Sequence, residues 1–116
     1  MLAHEHAVHP HQSHFGWCNN NPPILTFAPG STIEFHPTDA SGGQLTPEST
    51  DQDISRIDFA RVNPVTGPVY IDGAVPGDAI KVTILEMQPS GWVWTANIPG
   101  FGLLADLFAT CGQRTE

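Results

Sequence analysis

The chain has 116 residues, of which 40% are hydrophobic, enough for one domain with one core and too short for two. Twelve carboxylates against Arg56, Arg61, Lys81 and Arg114 leave a net charge of -8, a field that argues against nucleic acid and anionic membrane surfaces as partners. Eleven glycines, eleven prolines and a charged fraction of only 14% suit short strands joined by many turns and argue against a helical bundle or coiled coil.

The first residues hold most of the histidines: His4, His6, His9, His11 and His14. Their near-alternation would set several imidazoles on one strand face, as a metal site requires, but a His-rich terminus is the commoner meaning of such a run. No basic segment leads into an apolar core here, so no secretory signal is visible, and no apolar run further on is long enough to cross a bilayer. His14 stands apart because Phe15-Gly16-Trp17 follows it and marks the chain becoming ordered. Cys18 and Cys111 are distant in sequence and form no C-x-x-C pair, which predicts free thiols and a cytoplasmic location.

Asn19–Pro23 reads as a loop, since successive prolines fix extended geometry and remove ladder donors. Ile24–Phe27 and Thr32–His36 read as strands on either side of a Pro29-Gly30 turn. The loop from Pro37 to Gln44 then offers the Asp39 carboxylate, the Ser41 hydroxyl and the Gln44 amide beside Gly42-Gly43. Loops held by rigid strands carry binding groups, although a polar turn in which Asp39 bonds its own backbone explains the same residues.

Residues 45–60 keep no clean period. Ser49 or Thr50 is placed to cap a short helix starting at Asp51, with Asp51 and Asp53 near its positive end, while Ile54, Ile57 and Phe59 leave a strand open. Arg61 to Met87 is the most strongly patterned run. Pro68–Ile71 and Ala79–Leu85 flank a Gly73–Asp78 turn, and Ile80, Val82 and Ile84 alternate with Lys81 and Thr83 as in a half-buried strand, which predicts a hairpin. The offsets of Pro76-Gly77 and Ile80 repeat those of Pro29-Gly30 and Ile33, which reads as recurrent turn chemistry and supports an antiparallel architecture.

After a turn at Gln88–Gly91, Trp92–Ile98 reads as a strand, and its paired tryptophans serve a core or interface more often than a pocket. Pro99–Gly102 turns again, and Leu103, Leu104, Leu107 and Phe108 share a helical face. That apolar stripe has no later element to cover it, although the earlier strands could; left uncovered, it would mark an interface or an absent remainder. The expected fold is therefore mainly β, antiparallel, with at most short helices near 50–58 and 102–108. No G-x-S-x-G elbow, H-E-x-x-H pair or Gly-rich phosphate loop is present. From the residues alone, the chain is a soluble, acidic, β-rich domain with a polar site near Asp39.

A resemblance extends this. His14-Phe15-Gly16-Trp17, Asp39-Ala-Ser-Gly-Gly-Gln44, Val62-Asn-Pro-Val-Thr-Gly-Pro-Val-Tyr70, Gly73-Ala-Val-Pro-Gly-Asp78 and Pro99-Gly-Phe-Gly-Leu-Leu-Ala-Asp106 follow one another in the order seen in the N-terminal part of the acetamidase/formamidase family. The resemblance runs to about Phe108, with the acetamidase branch the nearer one, and Cys18 stands where a polar or acidic residue is expected. It implies a β-sandwich-like fold and hydrolysis of small aliphatic amides to carboxylate and ammonia. It also implies a divalent metal, zinc, in the full-length proteins, whose later Asp, His and Glu motifs do not occur here. Carried onto this sequence, His14 and His36 are the candidate metal ligands, Asp39 a candidate ligand or proton carrier, and Gln44 an orienting donor beside Asp39 in catalysis.

The reading from sequence is thus one N-terminal portion, residues 1–116, of a longer amidase, with a small amide as its partner and a homo-oligomer left open. A non-catalytic binding or assembly module is the alternative. A small metal-binding domain built on the N-terminal histidines is a third, weaker one.

Overall fold

The computed structural model describes residues 6–108, 110 and 112–115; the side chains of 113–115, and with them Arg114, lie outside what it describes, as do His4 and Cys111. The chain is mainly β with almost no helix. It folds as two compact units, each assembled from separated stretches of sequence: Met1–Gly42 with Ala60–Lys81, and Gly43–Phe59 with Val82–Glu116.

Among the described residues of the first unit, three two-stranded sheets carry the chain. Strand β1 (His6–Val8) lies parallel to β4 (Ile33–Phe35), with Ala7 opposite Glu34. Strand β2 (Ser13–His14) runs antiparallel to β5 (Val65–Thr66), and β3 (Leu25–Phe27) lies parallel to β6 (Val69–Ile71), with Thr26 opposite Tyr70. Flanking bonds lengthen each ladder. His36 N–H donates to the Val8 carbonyl at 2.9 Å, Gly67 N–H to Gln12 at 2.9 Å, and Ile24 N–H to Pro68 at 2.9 Å. Val8 is fully enclosed and anchors this unit's core.

The strands expected at 24–27, 32–36 and 68–71 are present, but the expected antiparallel arrangement is corrected, because β1–β4 and β3–β6 are parallel. The Pro29-Gly30 turn closes with Ser31 N–H on the Ala28 carbonyl at 3.2 Å, yet β3 and β4 separate beyond it to find different partners. Adjacent strands share a turn without sharing a ladder.

The Gly73–Asp78 hairpin is also corrected. Two turns follow in succession, Ala74 N–H to the Ile71 carbonyl and Asp78 N–H to Val75, each at 3.1 Å, and Asp78 Oδ2 further accepts the Val75 N–H at 3.0 Å. Doubling the turn carries the chain off β6 rather than back along it. Ala79–Leu85 therefore has no partner strand among the described residues, and Ile80, Val82 and Ile84 are 65%, 81% and 71% exposed.

The second unit contains a short helix, α1 (Asp51–Ser55), one of the two options that the sequence left open for this stretch. Asp53 reaches back so that Oδ2 accepts the Thr50 N–H at 2.7 Å and the Thr50 hydroxyl at 2.9 Å, closing the first turn. Among the described residues of this unit, Ile54 on α1 and Leu45 are the buried apolar ones. Strand β7 (Trp94–Asn97) runs antiparallel to β8 (Gly112–Thr115). Residues 103–107 make a turn in which the Leu104 carbonyl accepts both Leu107 and Phe108 N–H groups, rather than the short helix expected near 102–108. Leu103 and Leu107 stay exposed, so the apolar stripe finds no packing surface to propagate the helix against.

Candidate functional site

The Asp39 loop is the most tightly specified polar constellation in the first unit. Strand β4 delivers the chain to Pro37, and Asp39 folds over the next residues. Its Oδ2 accepts the Ser41 N–H at 2.9 Å and the Ser41 hydroxyl at 2.6 Å, and its carbonyl accepts Gly42 N–H at 2.9 Å. Asp39 thus takes the self-bonding turn that the sequence left as one of two options. Ser41 is buried at 1% exposure, which makes this carboxylate the partner of a desolvated hydroxyl.

A second loop clasps the first. Asn63 N–H donates to the Ala40 carbonyl at 2.8 Å, and Asn63 adopts the left-handed φ of 52°. Gly42, at φ 70°, lies so close to Arg61 that a Cβ would run into the Arg61 carbonyl oxygen. Glycine is required there for two independent reasons, conformation and space. The sequence reading passed over Asn63 and the Gly42–Arg61 contact. The Asn63-Pro64 dipeptide was the available signal, since Asn-Pro marks turns and asparagine tolerates positive φ.

His14 sits in β2 with Nδ1 3.1 Å from the Gly67 carbonyl. With Nδ1–H as the donor, Nε2 is the nitrogen left to accept a proton or meet a metal. His36 lies elsewhere in the same unit, just past β4. Its Nε2 is 3.2 Å from Glu34 Oε1, and its ring stacks on His9 at 5.6 Å, while His9 stacks on His11 at 5.8 Å. Imidazole lone pairs lie in the ring plane, so near-parallel rings at 7° and 13° do not aim at a common centre. No hydrogen bond, ion pair or ring contact joins His14 to His36 among the described residues.

Nor do the described residues bring together any group of three or more His, Cys, Asp or Glu able to hold a metal ion. They do not by themselves fit a zinc centre.

Gln44 belongs to the second unit, and its amide is paired at both ends with one backbone. Nε2 donates to the Asp58 carbonyl at 3.1 Å and Oε1 accepts the Asp58 N–H at 2.8 Å. The side chain imitates a strand residue across the helix-bearing loop. A shallow apolar cleft of about 470 Å³ in the same unit is lined by Ala96, Ile98, Phe101, Leu104 and Phe108. Its polar member, Asn97, spends Nδ2 on the Thr110 carbonyl at 2.7 Å, so the cleft presents grease rather than chemistry.

The model of the Acetamidase/Formamidase family matches residues 2–116. The chain belongs to the acetamidase/formamidase family. The match through residue 116 corrects the expectation that the likeness ends near Phe108. Among relatives, an acetamidase of Mycolicibacterium smegmatis is 28% identical over 108 residues, covering 82% of this chain and 27% of its own length. A formamidase of Methylophilus methylotrophus is 31% identical over 103 residues, 84% of this chain and 25% of its own length. The crystal structure of an acetamidase from Bacillus halodurans superposes with a TM-score of 0.85 at 29% identity, covering 94% of this chain and 36% of that one. The chain therefore spans about a quarter of the length of these two relatives and about a third of the solved acetamidase.

No helix among the described residues is long and apolar enough to cross a membrane. Cys18 is a free, exposed thiol, as its isolation in the sequence predicted.

Proposed function

We propose that this chain is the N-terminal portion of an amide hydrolase that converts linear, non-peptide amides such as acetamide or formamide to carboxylate and ammonia. The observation that carries the reading is the family match along residues 2–116, supported by relatives named for both activities. The remainder of the acetamidase fold completes the sheets into a sandwich in this reading, and a cytoplasmic location accords with the free Cys18 thiol.

Amide hydrolysis needs a positioned nucleophile, donors at the developing oxyanion and a proton for the departing nitrogen. The clasped loop suits a supporting role in that chemistry. Asp39 fixes Ser41 and the backbone of residues 39–42, while the Gly67 carbonyl sets the orientation of the His14 ring through Nδ1. In the family's full-length proteins a divalent metal, zinc in this reading, would need further ligands from beyond the described residues to join His14.

The test is ammonia release from acetamide and formamide by this chain fused to the part of the Bacillus halodurans acetamidase that it does not match. Turnover by the fusion, lost in His14→Ala and reduced in Asp39→Asn, is the expected result. A folded fusion without turnover on either amide would sink the reading. It would favour the non-catalytic assembly module, for which the uncovered Leu103–Phe108 surface speaks.

A further inference from the structure

We propose that Ala79–Met87 is an unfilled β-strand whose partner is a strand from the part of the acetamidase polypeptide that this chain does not match. The inference rests on family membership and on the N-terminal reading above, and not on amide hydrolysis itself.

The segment has the composition of a strand that is half buried. Ile80, Val82 and Ile84 fall on one face, which Glu86 ends, Lys81 and Thr83 fall on the other, and Leu85 and Met87 continue that second face as apolar surface. Yet Val82 is 81% exposed and Met87 76%. Among the described residues, Ala79–Met87 makes no hydrogen bond of any kind, in contrast to the turn immediately before it, where Val75 and Asp78 are tied twice. Backbone groups left unpaired beside a run of apolar side chains are a template for strand addition.

Surface of this kind in one contiguous run marks an interface. The superposition supplies the occupant. The solved acetamidase keeps this fold at a TM-score of 0.85 while only 36% of it corresponds to this chain, so the larger part of that protein has polypeptide to place against it. A second copy of the chain is the rival occupant. Self-pairing is opposed by the net charge of -8 on each copy and by the sparse positive charge near the segment, where Lys81 stands alone against Asp78 and Glu86.

The test co-expresses the tagged 116-residue chain with the unmatched portion of the Bacillus halodurans acetamidase, beside a covalent fusion of the two. Hydrogen exchange is followed on the peptide covering 79–87. Expected are co-purification and exchange slowed by at least about tenfold across 79–87, the protection a paired strand gives. Val82→Asp should abolish co-purification while leaving the thermal melt of the isolated chain unchanged, since that side chain is already in solvent.

Three results overturn the proposal: association with 79–87 still exchanging freely, no soluble complex from either the pair or the fusion, or the same protection in the isolated chain at high concentration, which would assign the strand to a second copy. A protected but inactive complex would support the surface and count only against amide hydrolysis.

Discussion

The Ser41 hydroxyl and the Ser41 N–H both donate to one oxygen, Asp39 Oδ2, at 2.6 and 2.9 Å. A two-residue spacing thus closes a turn with a charge-assisted pair of bonds, and the serine it holds is almost wholly buried. Removing the hydroxyl takes a short donor from the carboxylate without opening the site to water. Ser41→Ala is expected to cost about 1–2 kcal/mol of stability, read from urea unfolding, on the scale of a hydrogen bond to a charged group.

Gly42 and Gly30 separate two reasons for placing a glycine in a turn. Both have positive φ, 70° and 88°, but a Cβ on Gly30 meets nothing, whereas one on Gly42 meets the Arg61 carbonyl. Gly30→Ala is expected to cost about 1 kcal/mol from backbone strain alone. Gly42→Ala adds the displacement of a backbone, about 1–3 kcal/mol more. Equal shifts in unfolding midpoint for the two variants would contradict the clasp between the loops.

Asp53 carries a pH dependence with a definite sign. The Thr50 N–H bond, then the Thr50 hydroxyl, and less strongly the Arg56 charge hold its carboxyl below the ordinary aspartate range. Because the folded value is the lower one, the stabilisation is full above the unfolded pKa and is lost as pH falls through the folded pKa. Carboxyl carbon shifts followed by NMR should show Asp53 titrating below the ordinary aspartate range, with Thr50→Val moving it upward.

Burial ranks the apolar residues. Ile54 is 1% exposed although Asp53 and Ser55 flank it, and Ile84 is 71% exposed although its run is rich in apolar side chains. Ile54→Ala is expected to lower stability by about 2–5 kcal/mol, the cost of a core truncation, and Ile84→Ala of the isolated chain by less than about 0.5 kcal/mol. Thermal melts of the two variants side by side check this.

What was legible in the sequence was local. Thr50 with Asp53 three residues later is enough to start a helix at Asp51, and the apolar spacing of Leu25–Phe27, Ile33–Phe35 and Val69–Ile71 is enough to mark strands. Partner choice was not legible, because the ladder of β3 is decided by residues more than a loop away and its parallel sense leaves no turn signature. The same limit explains Ala79–Leu85. Alternation encodes a face to bury, and it does not say whether the burying surface lies within the stretch being read. At the site, the self-bonding of Asp39 was visible as an option in its loop chemistry, while the clasp on Gly42 depends on Arg61 and Asn63, which only the fold brings near.

The parallel pairing of β3 with β6 has a further consequence during synthesis. Leu25–Phe27 leaves the ribosome long before Val69–Ile71, and residues 28–68 must be made in between. At about 5–20 residues per second this leaves the earlier strand waiting for about 2–8 s with its ladder unmade. Helix α1, whose cap lies within a few residues of its own sequence, has no such delay. Slow codons placed between Ala28 and Pro68 would lengthen the wait without changing any contact of the finished chain, so yield from such a message reads how much help the nascent strand needs.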